Sequence, residues 1–191
     1  MMKRLTNMEK KEIESKAQEL LTSEFFDGQA VKIVSLANQQ GFTVGHAVLP
    51  EGTEGIIAVD TKQKSLLGSG NNKVIAVDYR LKKDRQRFII AHELGHYVMR
   101  PDSKAPVFAH REKAHGRSDE ENEADYFAAC LLMPRDGFQK SLEYFREVNP
   151  ALGEKALAVL LSEQFGVPEE AARRRIKEVK DAPTEGVAEN G

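Results

Sequence analysis

Within "RFIIAHELGHYVM", residues 87–99, two histidines stand four apart, with a glutamate directly after the first. On a helix, positions i and i+4 lie on one face a turn apart, so His92 and His96 can aim two imidazole nitrogens at one cation. Glu93 sits about 100° round from His92, badly placed as a ligand but able to reach a water on the metal. This H-E-x-x-H spacing is that of zinc peptidases, with two metal ligands and a general base. The alternative is two unrelated helix residues. That reading must find separate partners for two imidazoles on a helix made buried by Phe88, Ile89, Ala91, Leu94 and Val98.

A catalytic zinc usually takes three protein ligands and leaves the fourth position to water. A third histidine six residues after His96, preceded by a glycine, is not available, because Met99 and Asp102 occupy those places. A later segment, "SDEENEADYFAACLLMP" (118–134), offers Glu120, Glu121, Glu123 and Asp125. Glu121 and Asp125 are spaced i, i+4. Glu121 can therefore bind the metal while Asp125 accepts a hydrogen bond from a ligand histidine and fixes its tautomer. Against this, Ser118 followed three residues later by Glu121 fits a capping box, and acidic residues in a first turn suit the helix dipole. Spacing alone leaves Glu121 in competition with its neighbours.

These residues must be held by particular elements. Apolar spacing predicts helices over 8–22 and 30–41, with Gly41 as a C-terminal stop. "FTVGHAVL" (42–49), "IIAVD" (56–60) and "VIAVD" (74–78) are strand-like, with a turn signal at 68–72 and Leu66 and Leu67 between. The expected fold class is α+β, with a small, largely antiparallel sheet of three or four strands and a zincin-like active-site helix. Asp84 can cap that helix, which runs to about Arg100 before Pro101. A polar loop fills 101–117, and Ser118 caps a second long helix closed by Pro134. Helices are expected at 138–148, 154–165 and 168–180. The domain division is 8–150 for the metallopeptidase-like unit, 151–180 for a C-terminal helical unit packed on it, and 181–191 for a disordered tail.

The chain has 191 residues, a formal net charge of −2 and one cysteine. It is long enough for a substantial core. Its charge predicts no attraction to nucleic acid or to an anionic membrane. A lone Cys130 excludes an internal disulfide framework and fits a reducing compartment, and it reads as a packing residue of an apolar helix. No run approaches the roughly 18 apolar residues of a membrane span, and no signal-like run follows the basic start, so the expected location is cytoplasmic. The segment 157–176 has helix–turn–helix character. Glu169, Glu170 and Glu178 offset Arg173, Arg174 and Arg175, so we expect a structural or partner-contacting unit without direct nucleic-acid binding.

"FIIAHELGHYVM" followed by "ENEADYFAACLLMP" resembles the ImmA/IrrE family of zinc metallopeptidases, and the resemblance extends over about residues 10–180. It implies Zn2+ as cofactor, His92, His96 and Glu121 as ligands, Glu93 as catalytic base, and Asp125 where the family pattern allows Asn or Asp. Zinc would activate a bound water and polarise the scissile carbonyl, while Glu93 takes the water proton and passes it to the leaving amine. His110, His115, Tyr97 and Tyr126 are candidates to stabilise the oxyanion, each also readable as a loop or packing residue; His46 has no assigned role. The resemblance further implies limited regulatory proteolysis, typically of a co-encoded helix–turn–helix repressor. The competing class is a zinc-containing binding module that acts through its C-terminal helical unit on a regulator or DNA without cleavage. Segments 55–60 and 74–78 are candidates for holding an extended substrate against a sheet edge.

Overall fold

The three β-rich runs of the first half form one sheet. A computed structural model describes residues 5–22, 24–59, 72–100 and 118–180. The strands are β1 (Thr43–Ala47), β2 (Gly55–Val59) and β3 (Lys73–Asp78), in the order β1-β3-β2. β3 is buried along nearly its whole length, which explains its unbroken apolar run. It pairs antiparallel with β2, Ile57 opposite Ile75, and parallel with β1, Val44 opposite Ile75. The sheet is therefore mixed rather than largely antiparallel. The chain passes from β1 across to the far edge, and β3 then returns between the two. The region of Leu66 and Leu67, and the proposed tail 181–191, lie outside the described residues.

The described residues form seven helices. Helix α1 (Asn7–Glu19) is fixed by a capping box in which Thr6 Oγ1 accepts from the Glu9 N–H and Glu9 accepts from the Thr6 N–H, and it buries Ile13 and Ala17. Helix α2 (Ile33–Gln39) is shorter than its sequence pattern. It ends with Gly41 at φ +85°, the Gly41 N–H donating to Asn38 O and the Phe42 N–H to Ala37 O. Those two bonds form a Schellman stop, and only glycine adopts that φ without strain.

Helix α3 (Lys83–Met99) begins earlier than the Asp84 cap predicts. Lys82 occupies the cap position without a side-chain bond, and Asp84 lies inside the first turn, where its charge complements the dipole. Helix α4 (Asp119–Leu132) is capped by Ser118 as expected. Three further helices follow: α5 (Arg135–Val148), α6 (Glu154–Phe165) and α7 (Glu169–Lys180). Leu157, Leu161, Phe165 and Ile176 of the last two join the same apolar cluster as Ile89 and Phe127.

Arg175 is fully buried in α7. It donates to Met133 O (3.2 Å) and Glu14 Oε1 (2.8 Å), with Cys130 Sγ at 3.4 Å, and so ties α7 to α4 and α1. Cys130 is itself buried, and burial pushes its thiol up to about 11, in keeping with a packing role.

Candidate metal centre

α3 and α4 pack closely because Gly95 has no side chain. A Cβ there would stand 2.9 Å from Phe127 Cδ1 and 3.3 Å from Ala124 Cα. This close approach delivers the first turns of α4 to the histidine face of α3. Nothing in the helical spacing of His92 and His96 pointed to Gly95; its position between the two histidines was the available signal.

His92 Nε2 and His96 Nε2 lie 3.0 Å apart. The Glu121 carboxylate completes the group, Oε2 at 3.3 Å from His92 Nε2 and Oε1 at 3.2 Å from His96 Nε2. Among the described residues these three form a set able to hold a metal ion. A tetrahedral zinc with bonds of about 2.0–2.1 Å separates its ligand atoms by roughly 3.3–3.4 Å, a few tenths of an ångström from this spacing. The donor set, two imidazoles and a carboxylate, suits zinc chemically.

Orientation comes from Asp125, whose Oδ1 lies 2.9 Å from His92 Nδ1. A carboxylate only accepts, so Nδ1 carries the proton and Nε2 is left to face Glu121 and His96. His92, Glu93, His96 and Asp125 are all buried. Burial opposes charge on His92, yet hydrogen bonds to Asp125 and Glu121 outweigh it and lift the pKa to about 9. Hydrogen bonds with His92 and His96 hold the Glu121 carboxyl far below the usual carboxylate range, against the opposing effect of burial. A dication held by His92, His96 and Glu121 would take the place of the imidazolium proton in balancing the neighbouring carboxylates.

The competing acids point elsewhere. Arg100 at the end of α3 pairs with Glu123 Oε2 (3.0 Å) and Glu120 Oε1 (3.4 Å). The capping-box alternative for Glu121 is half realised. Its backbone N–H donates to Ser118 Oγ at 3.3 Å, while its carboxylate lies with the histidines. One residue thus serves the helix start through its backbone and the cluster through its side chain.

The tyrosines are engaged in packing. Tyr97 stacks edge-on to Phe42 and its hydroxyl accepts from Lys73 Nζ at 2.9 Å. Tyr126 is buried beneath Lys10, whose ammonium lies 5.6 Å from its ring centre. His46 is exposed on β1. His110 and His115 lie outside the described residues.

The IrrE N-terminal-like domain family, Peptidase_M78, matches residues 53–177. That span includes both metal-site helices. A solved structure of a Mycobacterium tuberculosis transcriptional regulator is similar in fold, with a TM-score of 0.51 and 19% identity over 88% of this chain and 47% of that one. The chain thus spans about half the length of that protein. No curated protein matches the chain.

Proposed function

This chain belongs to the Peptidase_M78 family of IrrE N-terminal-like domains, a metallopeptidase family, and from that premise we propose that it is a zinc-dependent endopeptidase performing limited regulatory proteolysis. The observation that carries the reading is the convergence of His92, His96 and Glu121 with a buried Glu93 on the same helix. In this reading the first three hold zinc, Asp125 orients His92, and Glu93 is the base. Bound zinc would supply Lewis-acid polarisation of the scissile carbonyl and make a coordinated water more acidic. Glu93 takes a proton from the attacking water and delivers it to the leaving amine. Burial of the carboxylate keeps bulk water from competing for that transfer.

Between the two strand segments that can hold an extended substrate, the topology favours β2. β3 is paired on both sides, whereas β2 is at an edge of the described sheet. An extended segment added to that edge would be recognised through its backbone. The natural substrate in this reading is a co-encoded helix–turn–helix repressor, and the site of action is the cytoplasm. No helix among the described residues is long and apolar enough to cross a membrane.

Direct nucleic-acid binding is not part of the proposal. Arg173 pairs with Glu169 and Arg174 with Glu170, and Arg175 is buried, so α7 presents little uncompensated positive charge. The experiment compares wild type with Glu93→Gln on the co-encoded repressor, with zinc content measured on both. The variant should keep its zinc and lose at least about 10²-fold in cleavage rate. Equal cleavage by both would place the base elsewhere. Full biological function of Glu93→Gln in cells would favour a zinc-stabilised binding module instead.

A further inference from the structure

Arg85, Ile89 and Glu93 follow one another at i, i+4 and i+8 on one face of α3, and all three meet the start of β2. Arg85 donates through Nε to Glu54 Oε1 (3.2 Å) and through Nη2 to Glu54 Oε2, clamping the residue that leads into the strand. The next residue is Gly55, buried and opposite Val77 of β3. A Cβ at Gly55 would stand 2.3 Å from Ile89 Cγ2, 2.8 Å from Glu93 Oε1 and 3.2 Å from Glu93 Cγ. Gly55 is not among the glycines with positive φ, so the demand here is for space and not for an unusual backbone. Ile89 and Glu93 are 0% and 1% exposed, so both side chains meet Gly55 inside the packed interior.

We propose that Gly55 is a positioning residue for Glu93. Its bare α-carbon lets the edge strand lie flush on α3 and forms the wall against which the Glu93 carboxylate is held. A methyl at this point pushes the carboxylate off its position while leaving the faces of His92, His96 and Glu121 untouched. The inference rests on the reading of Glu93 as the base beside a metal.

Gly55→Ala alone strains Ile89 as well as Glu93, so the test pairs it with Ile89→Ala, which removes the 2.3 Å contact and leaves the contact with Glu93. The readout is binding of acetohydroxamic acid to the zinc-loaded full chain by calorimetry, because a metal-chelating hydroxamate gives a hydrogen bond to a carboxylate held beside it. Zinc content is measured on every variant, and Glu93→Gln serves as the reference. Gly55→Ala/Ile89→Ala should keep one zinc and bind acetohydroxamic acid at least about 5-fold more weakly than Ile89→Ala, approaching Glu93→Gln. Binding equal to that of Ile89→Ala overturns the proposal, since Gly55 would then serve only the packing of Ile89. Loss of zinc in the double variant overturns it too, by showing that the strand supports the whole site. If Glu93→Gln binds the hydroxamate as wild type does, the reading of Glu93 fails first and the role of Gly55 falls with it.

Discussion

His92 donates its Nδ1–H to Asp125 Oδ1 across 2.9 Å, joining α3 to α4 beneath the candidate metal site. The bond selects the tautomer that leaves His92 Nε2 facing His96 and Glu121. Removing such a partner typically costs 10–100-fold in metal affinity. Asp125→Ala should therefore weaken zinc binding by about that factor in a chelator competition. Asp125→Asn should weaken it less, because the amide oxygen still accepts from Nδ1–H. Unchanged affinity in Asp125→Ala would show that packing alone orients the ring.

Glu120, Glu121 and Glu123 are chemically alike and differ in what they face. Single substitution by Gln should abolish tight zinc binding only at Glu121. Glu120→Gln and Glu123→Gln remove partly exposed pairs with Arg100, worth at most about 1 kcal/mol each. Metal analysis after dialysis decides among the three. Zinc loss at position 120 or 123 would mean that α4 sits in a different register.

Gly95→Ala tests the helix contact itself. Alanine is the better helix former by about 1 kcal/mol, but its Cβ would press on Phe127 at 2.9 Å. Overpacking typically costs about 1–3 kcal/mol, so the variant should be destabilised on balance and should bind zinc more weakly. Urea unfolding of the metal-free chain measures the first effect and chelator competition the second. A variant more stable than its parent would show that the two helices separate without penalty.

Arg175 should behave as a structural residue. Arg175→Ala empties a fully buried position and removes the contacts with Glu14 (2.8 Å) and Glu178 (3.5 Å), Glu14 keeping Arg135, and should cost about 2–5 kcal/mol. Burial pushes the Glu14 carboxyl up, but Arg135 and Arg175 outweigh it and hold it below its ordinary value of 4.5. A depressed folded-state pKa gives stability that is present above about 4.5 and lost as the pH falls below it. Urea midpoints measured down through that range should therefore decline more steeply in wild type than in Glu14→Gln. Parallel declines would mean that the ion cluster contributes nothing to the acid limb.

Much of the site was legible along the chain. The facing of His92 and His96 follows from the geometry of one helix, and so does the Ser118 start of α4, because rise and turn per residue are set locally. The same holds for the Gly41 stop. The family resemblance singled out Glu121, which spacing had left among four acids.

Other features were decided only when separate elements met. Arg175 reads in sequence as one of three surface arginines, yet it shares the buried face of α7 with Ala172, Ile176 and Val179. Asp84 offered a plausible cap, but the helix began at Lys83. The sheet acquired a parallel pair because β3 inserted between two strands that precede it. Glu121 faces the histidines, and Glu120 and Glu123 face Arg100, because Gly95 admits Phe127 and fixes how α4 lies on α3. Gly55 likewise gains its meaning from Ile89 and Glu93, more than thirty residues away in the chain. Spacing within one helix is dictated by its own backbone bonds, whereas contacts between elements depend on how their side-chain volumes fit together, which no local pattern encodes.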